Sequence, residues 1–297
     1  MILAVGATGQ LGSLITRRLL AERQQVRILA REGSSWQTLG QAGAQVAIGD
    51  LKSRATLDAA CAGVDVVITT ANAAQRGGAD NTQTVDTDGN RNLIDAARNA
   101  GVKQFIFVSS FGVTADSPVP LFQAKARTEE YLRACGLPYT ILAPDAFMDV
   151  WIPMVVLGPF LEDRPVTIIG EGRRQHSMIA ADDVASFAIA AIGHPEAMNR
   201  HLPLGGPEAV SWRDVIAALE RRTGRSIPVV SLAPGQPLPG LPEIIGHLMA
   251  GLDAYDSLID MPATAKAFGV TQTSVDQFLR GILSSASQTQ TLRNSPT

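Results

Sequence analysis

A chain of 297 residues has room for one large α/β domain, or for a main domain carrying a small second lobe, and the second arrangement is the one expected here. At 45% hydrophobic and 18% charged it has a core to bury and is too apolar for disorder, while a net charge of −3 provides no overall field that would gather nucleic acid or an anionic membrane. Two cysteines, Cys61 and Cys135, each inside a stretch that reads as helix, exclude a disulfide framework and a thiolate metal site and fit a reducing cytoplasm.

The first residues, MILAV, run directly into a glycine turn with no basic leader, and no apolar run approaches the roughly 20 residues of a membrane helix. A cytoplasmic protein with no membrane partner is expected. ILAVG, QVRILA, AQVAIG, DVVITTA, KQFIFVSS and PYTILAP then follow as six candidate strands, the last ending at Pro144. Amphipathic stretches lie between them, with Leu11, Leu14, Ile15 and Leu19 at helical spacing, and later Leu121, Ala124, Tyr131, Leu132 and Cys135. Such alternation predicts right-handed crossovers and a doubly wound parallel sheet with helices on both faces.

The turn after the first strand reads GATGQLG, with Gly6, Gly9 and Gly12 at G-x-x-G-x-x-G spacing and a helix opening near Gln10. Gly6 permits the tight turn, Gly9 lets backbone amides approach a pyrophosphate, and Gly12 lets the helix pack close to the sheet. The helix N-terminus, with its unpaired N–H groups and dipole, then faces the phosphates. Thr8, Gln10 and Leu11 belong to the same turn. The expected fold is therefore a Rossmann-type α/β domain that binds a nicotinamide dinucleotide.

The second strand ends ILAREGSS, where an NAD site usually places a carboxylate on the ribose 2′-hydroxyl. Ala30 holds that place and Arg31 follows, so a guanidinium is available to pair with the 2′-phosphate of NADP, with Ser34 and Ser35 as hydroxyl donors. NADPH is the preferred cofactor on this reading. NAD stays open, with Glu32 on the ribose and Arg31 a solvated loop cation. Asp50 and Leu51, after the third strand, fall where adenine would lie, and Thr70, Ala71 and Asn72 end the fourth strand on the same edge. Pro144 and Phe147 follow the sixth strand and are expected at the nicotinamide end. Phe147, Met148, Trp151 and Met154 share a helical spacing that suits either core or an aromatic-lined pocket.

Beyond Pro144, PDAFMDVWIPMVV reads as helix, and HSMIAADDVASFAIAAI as a helix with Asp182 at its cap, preceded by VTIIGEG. From about residue 195 onward, Pro and Gly clusters around short helices point to a loop-rich substrate lobe. The expected division is a dinucleotide domain over 1–150, a substrate lobe over 151–283 with part of 165–194 returning to the main domain, and a disordered tail over 284–297. His176, His194, His201 and His247 show no metal-ligand spacing, so no metal is expected. Arg173 and Arg174 read as a solvated turn.

GATGQLG, the GDL near residue 50, VDTDGNRNLIDAARNAGVKQFIFVSSFGV and KARTEEYLRACGLPYTILAP together resemble the atypical short-chain dehydrogenase/reductase superfamily, and its NmrA-like members in particular. The resemblance spans about residues 1–285, includes MIAADDVA and LPLGGPEAVSWRDVIAALERRTGR, and is similar in layout to type-2 quinone oxidoreductases and triphenylmethane dye reductases. It implies Lys125 as a catalytic or ribose-binding residue and Ser110, at the end of the fifth strand, as its companion. One departure matters. The superfamily's tyrosine would stand four residues before Lys125, and Leu121 is there instead. A tyrosine with a lowered pKa supplies the proton for carbonyl and alcohol chemistry.

Without that tyrosine the expected activity is NAD(P)H-dependent reduction of a quinone-like or other conjugated small molecule, by a monomer or homodimer. Two alternatives stay open: an NADP-binding redox sensor or assembly protein that engages a protein partner without turnover, and a sugar-nucleotide epimerase or dehydratase using another acid/base. Lys125 also has a purely structural reading, as an exposed cation paired with Glu129 at i+4.

Overall fold

The computed structural model describes residues 1–73 and 76–293, with side chains described through residue 284. Six strands fall where the sequence places them: β1 (Ile2–Val5), β2 (Val26–Ala30), β3 (Gln45–Ile48), β4 (Val66–Thr69), β5 (Gln104–Val108) and β6 (Tyr139–Pro144). They alternate with α1 (Gln10–Ala21), α2 (Gln37–Gln41), α3 (Arg54–Cys61), α4 (Asp88–Asn99) and α5 (Pro120–Ala134). Every neighbouring pair is parallel, and the sheet order is β3-β2-β1-β4-β5-β6-β8, where β8 is Arg200–Leu204. The chain winds outward from β1 to β3, then returns to β4 on the other side of β1, so the crevice between the ends of β1 and β4 is the switch point of the sheet.

Strand alternation divides the core. Leu3, Val5, Leu29, Val67, Phe105, Phe107 and Ile141 cluster on one face with Leu57 of α3, Leu93 of α4 and Leu132 of α5. Ile28, Ile68 and Ile106, the alternate positions, are also fully buried, and α1 packs against the later helix α8 (Ala181–Ala190). An ion pair and hydrogen bonds from Arg18 to Asp182 and Ser186 join these two helices. Asp182 therefore lies within the first turn of α8, where a carboxylate suits the dipole, rather than at the cap the sequence predicts.

The seventh strand, β8 (Arg200–Leu204), extends the sheet beyond β6. Here the structure departs from the sequence reading, which assigns residues from about 195 onward to the substrate lobe. The main unit comprises 1–144, 181–204 and 266–270. β8 hides in the sequence because it is an edge strand: Arg200 and His201 are exposed, and Pro203 is tolerated where one side of the strand lacks a partner.

A second unit comprises 145–180, 205–265 and 271–297. VTII forms β7 (Val166–Ile169), which pairs in parallel with β9 (Val229–Leu232) in a separate two-stranded sheet. Its core gathers Met148, Ile152, Val156, Phe160, Ile168, Trp212 and Leu219, with Trp151 tilted against Trp212 at 6.3 Å between ring centres. The helix expected after Pro144 is present as α6 (Met148–Ile152), a π-helical turn over 153–157 and α7 (Gly158–Leu161). Further helices are α9 (Trp212–Thr223), α10 (Glu243–Ala254), α11 (Pro262–Phe268) and α12 (Val275–Arg293). α12 passes the boundary at 284 where the sequence predicts disorder, since no Gly or Pro interrupts 282–293, and residues 294–297 lie outside the described residues.

Within the main unit, Gln104 is a buried polar tie. Its amide donates to Thr140 Oγ1 at 2.9 Å and to the Ala191 carbonyl at 2.8 Å, and its oxygen accepts the Gly193 N–H at 2.8 Å. Replacing it by an apolar side chain of similar length removes all three hydrogen bonds and takes the side-chain partner from the Gly193 N–H, while the Ala191 carbonyl keeps the His194 N–H at 3.2 Å. Gln104→Met is expected to destabilise the fold by about 2 kcal/mol, read as a lower urea midpoint with an unchanged slope; an unshifted midpoint would deny the tie.

Candidate active site

The glycine turn takes its shape from contacts that exclude a Cβ. Gly6 has φ +83°, and a Cβ there would lie 2.7 Å from Thr70 Oγ1 and 2.9 Å from the Ala71 nitrogen. At Gly12 a Cβ would fall 2.1 Å from the Gly6 carbonyl oxygen. The turn closes with the Gly9 N–H donating to that same oxygen at 2.9 Å. Gly9 is the N-cap of α1, no side chain caps the helix, and its first turn contains no acidic residue. The start of α1 thus presents free backbone donors at the switch point, with no carboxylate in its own first turn to repel an anion.

Beside the turn lies an open cleft of about 480 Å³ at the carboxyl ends of β1, β2, β3 and β4. Of the residues singled out in the sequence, it brings together Gly6, Thr8, Arg31, Ser34, Asp50, Leu51, Ala71 and Asn72. Gly9, Gln10, Leu11 and Gly12 form the adjoining turn and helix start, and the Thr70 hydroxyl donates to the carbonyls of Val5 and Gly6, each at 3.4 Å. Glu32 is exposed and does not line the cleft, whereas Arg31 does. A glycine cradle that a Cβ would fill, an uncapped helix start and a neighbouring cation fit the pyrophosphate and ribose of a dinucleotide.

Arg31 is partly solvated but not unpaired. It pairs with Asp80, which also binds Lys52, while Arg76 approaches the same carboxylate at 3.4 Å. The Lys52 hydrogen bond, followed by the charges of Lys52, Arg31 and Arg76, holds the Asp80 carboxyl below its usual range. Sequence spacing does not single out Lys52, Arg76 or Asp80. Lys52 directly follows the GDL motif, but Arg76 and Asp80 reach the cleft from the loop after β4 and leave no local signal.

Lys125 lies in α5, one turn beyond Leu121. It is not the exposed partner of Glu129: its ammonium donates to the Val108 carbonyl at 2.9 Å and sits 5.2 Å from the centre of the Phe107 ring. Loss of solvation pulls its pKa from the usual 10.5 to about 8, against the opposing charges of Asp86 and Glu129. Asp86, another residue that spacing does not reveal, is buried and accepts the Ala73 N–H at 3.1 Å; burial pushes its pKa up. Glu129 accepts from Ser109 and Arg133 and lies 3.5 Å from His201. Burial works against its carboxylate, but His201, Ser109 and Arg133 outweigh that and keep the pKa below the usual range. The Ser110 hydroxyl has no hydrogen-bond partner among the described residues, in contrast to buried Ser109.

Pro144 is buried at the end of β6, and its carbonyl accepts the Phe111 N–H at 2.8 Å. Phe147 belongs to the second unit, half-buried and bridged in parallel to Ile179. Met148 is core of that unit, with Trp151 and Met154 packed against it.

No tyrosine of the main unit replaces the one missing at Leu121. Tyr131 donates to Asp95 at 2.7 Å, and Tyr139 begins β6, at the end of the strand opposite the cleft. Among the described residues no group of three or more His, Cys, Asp or Glu side chains is arranged to hold a metal ion. Burial pushes the Cys61 thiol up to about 11, which removes it as a nucleophile. Arg173 and Arg174 pair with Glu171 and Asp256 at 3.4 and 3.3 Å. No described helix is long and apolar enough to cross a membrane.

The profile of a family described as NAD(P)H-binding matches residues 6–195. An NAD(P)H azoreductase from Xenophilus azovorans is 30% identical over 260 residues, covering 88% of this chain and 84% of that protein. The photosystem II assembly factor Ycf39 of Cyanophora paradoxa is 35% identical over 228 residues, or 77% of this chain and 70% of that one. In fold the chain is similar to the NADPH-dependent quinone oxidoreductase QOR2 from Escherichia coli complexed with NADPH, with a TM-score of 0.80 at 22% identity over 95% of this chain and 100% of that one.

The depressed pKa of Lys125 has a consequence for stability. Between about pH 8 and 10.5 the unfolded chain holds a proton on this lysine that the folded chain has released, so this group's contribution to stability rises with pH across that window. Urea denaturation of the wild type and Lys125→Met at pH 7.5 and pH 10 is expected to show the wild type gaining on the variant at the higher pH; a constant difference would contradict the assignment.

Proposed function

The chain belongs to the NAD(P)H-binding family, in line with its resemblance to NmrA-like members of the atypical short-chain dehydrogenases/reductases, and on that premise we propose that it is an NADPH-dependent reductase of a quinone-like or other conjugated small molecule. Bound NADPH supplies a hydride; the rest is the work of the chain. The start of α1 and Gly6, Thr8 and Gly9 hold the pyrophosphate, Asp50 and Leu51 flank the adenine, and Thr70, Ala71 and Asn72 border the crevice between β1 and β4. Arg31 takes the 2′-phosphate. Pro144 borders the nicotinamide end, with Lys125 and Ser110 after β5 as the polar groups of the main unit nearest the chemistry.

The observation that carries the substrate class is Lys125 without its phenol. Reduction of a simple ketone leaves an alkoxide that demands a strong proton donor at the reacting oxygen, and Leu121 offers none. A quinone or an extended conjugated acceptor spreads the incoming charge over many atoms and asks less of the protein. The residues then act by orienting the acceptor, excluding water and, through Lys125, favouring the developing negative charge. Reduction of an azo compound, the activity named for the Xenophilus relative, fits the same requirement.

The second reading is a dinucleotide-binding assembly or sensor protein without turnover. The same leucine favours it, as does the similarity to an assembly factor. Calorimetric titration with NADPH and NADH, followed by loss of the reduced nicotinamide absorbance with a panel of quinones and azo dyes, separates the two. Tight binding with consumption is expected. Binding without consumption by any acceptor would favour the second reading, and no binding would overturn both.

Arg31 provides a sharper expectation. Loss of a charge-assisted hydrogen bond to phosphate costs about 1.5–3 kcal/mol. Arg31→Ala should therefore weaken NADPH binding by about that amount while leaving NADH binding nearly unchanged; equal losses would contradict the 2′-phosphate role.

A further inference from the structure

Three cations converge on a single carboxylate in the cleft. Arg31 follows β2, Lys52 follows β3 and Arg76 lies in the loop after β4, yet all three turn toward Asp80. Asp50 is the other acid nearby, 3.7 Å from Lys52. Three positive charges against two negative ones leave the cluster one charge in excess. A phosphate monoester carries nearly two negative charges and three acceptor oxygens, one for each cation, so it suits this seat better than a carboxylate does.

Asp80 cannot share the seat with such a group. Two anions among the same cations, a few ångströms apart, repel each other strongly in a partly desolvated cleft. Asp80 stands between a helix cap and a pair of glycines. On its C-terminal side Asn81 is fixed as the cap of the next helical turn, accepting the N–H groups of Gln83 and Thr84 at 3.0 Å. On its N-terminal side stand Gly77 and Gly78, neither with an atom within 4 Å of a Cβ built there, and Gly78 at φ +65°. Asn81 Nδ2 donates to the Gly78 carbonyl at 3.3 Å and the Thr84 hydroxyl to the Ala79 carbonyl at 2.8 Å, so the carboxylate leaves by rotation of its own side chain together with loosening of these bonds.

We infer that Asp80 is an internal anion that occupies the 2′-phosphate seat and is exchanged for that phosphate when NADPH binds. This rests on the dinucleotide reading above and deepens it. Before binding, Asp80 keeps Arg31, Lys52 and Arg76 gathered and partly neutralised. NADPH displaces it; NADH, which has no 2′-phosphate, leaves it in place. Residues 77–81 then take up different positions with the two cofactors, and cofactor identity becomes readable on the surface of the protein. The exchange also lowers NADPH affinity below what three free cations would provide, and Asp80 becomes a determinant of cofactor selectivity alongside Arg31.

The test uses full-length protein and two probes, 2′,5′-ADP and 5′-AMP, which differ only in the 2′-phosphate. Asp80→Asn removes the competing charge with little change of shape. It is expected to tighten 2′,5′-ADP binding about tenfold in calorimetric titration and to leave 5′-AMP unchanged. Weaker 2′,5′-ADP binding would make Asp80 a positioning residue for Arg31, and equal tightening of both probes would reduce it to a general field effect; either overturns the exchange. A variant that does not fold leaves the wild-type measurement decisive. Hydrogen exchange over 77–81 should speed up with NADPH and not with NADH, and protection or no change with NADPH overturns the proposal. Failure of the premise looks different: wild-type protein that binds neither NADPH nor NADH sinks the dinucleotide reading itself, whereas NADPH binding with an inert Asp80→Asn sinks only the exchange.

Discussion

The arrangement of the site depends on one close approach, between the carbonyl oxygen of Gly6 and the backbone of Gly12. Only a hydrogen fits between them, since a Cβ at position 12 would fall 2.1 Å from that oxygen. The contact pulls the first turn of α1 down onto the end of β1. It also holds Gly6 in a left-handed conformation that packs on Thr70 and Ala71 of the neighbouring strand end. The parallel sheet brings the loops after β1, β2 and β4 to one edge, and this contact aims the dipole of α1 into the space beside them. A side chain at either glycine would lift the helix away and leave the backbone donors facing no ligand.

Electrostatics divides the rest of the site into two regions of different character. Toward the loops after β2 and β3 the cations Arg31, Lys52 and Arg76 are partly solvated and gathered on Asp80. Toward β5, Lys125 is desolvated, with Asp86 and Glu129 the charges that oppose its loss of the proton. A lysine whose pKa is lowered to about 8 responds to small changes in its surroundings. Leu121, by contrast, puts an apolar side chain where proton delivery would normally begin, and that substitution directs the proposed chemistry toward acceptors that tolerate delayed protonation.

Much of this was legible in the sequence, for reasons that differ by element. The six strands through Pro144 announce themselves because strands buried on both faces are nearly continuous apolar runs. The glycine turn is legible because its three glycines each answer a separate steric demand between a strand and a helix. β8 escapes because it is an edge strand carrying Arg200, His201 and Pro203, and its membership of the sheet is decided by pairing with β6. Asp80 escapes for a related reason: it meets Arg31 across 49 residues, and nothing in RGGADN marks it as a partner. The burial of Lys125 was equally hidden. Its spacing to Glu129 suggests a surface pair, but Glu129 turns inward to Ser109 and His201, leaving the ammonium to the Val108 carbonyl.

The central claim is that backbone donors at the start of α1, rather than side chains, hold the pyrophosphate of a nicotinamide dinucleotide. Amide chemical shifts of isotopically labelled protein titrated with NADPH test it most directly. The amides of Thr8, Gly9, Gln10 and Leu11 are expected to move first and furthest, in a saturable manner, while those at the opposite ends of the strands, such as Val26 and Tyr139, stay in place. Saturable binding that left the amides from Thr8 to Leu11 unmoved would place the ligand elsewhere and contradict the account.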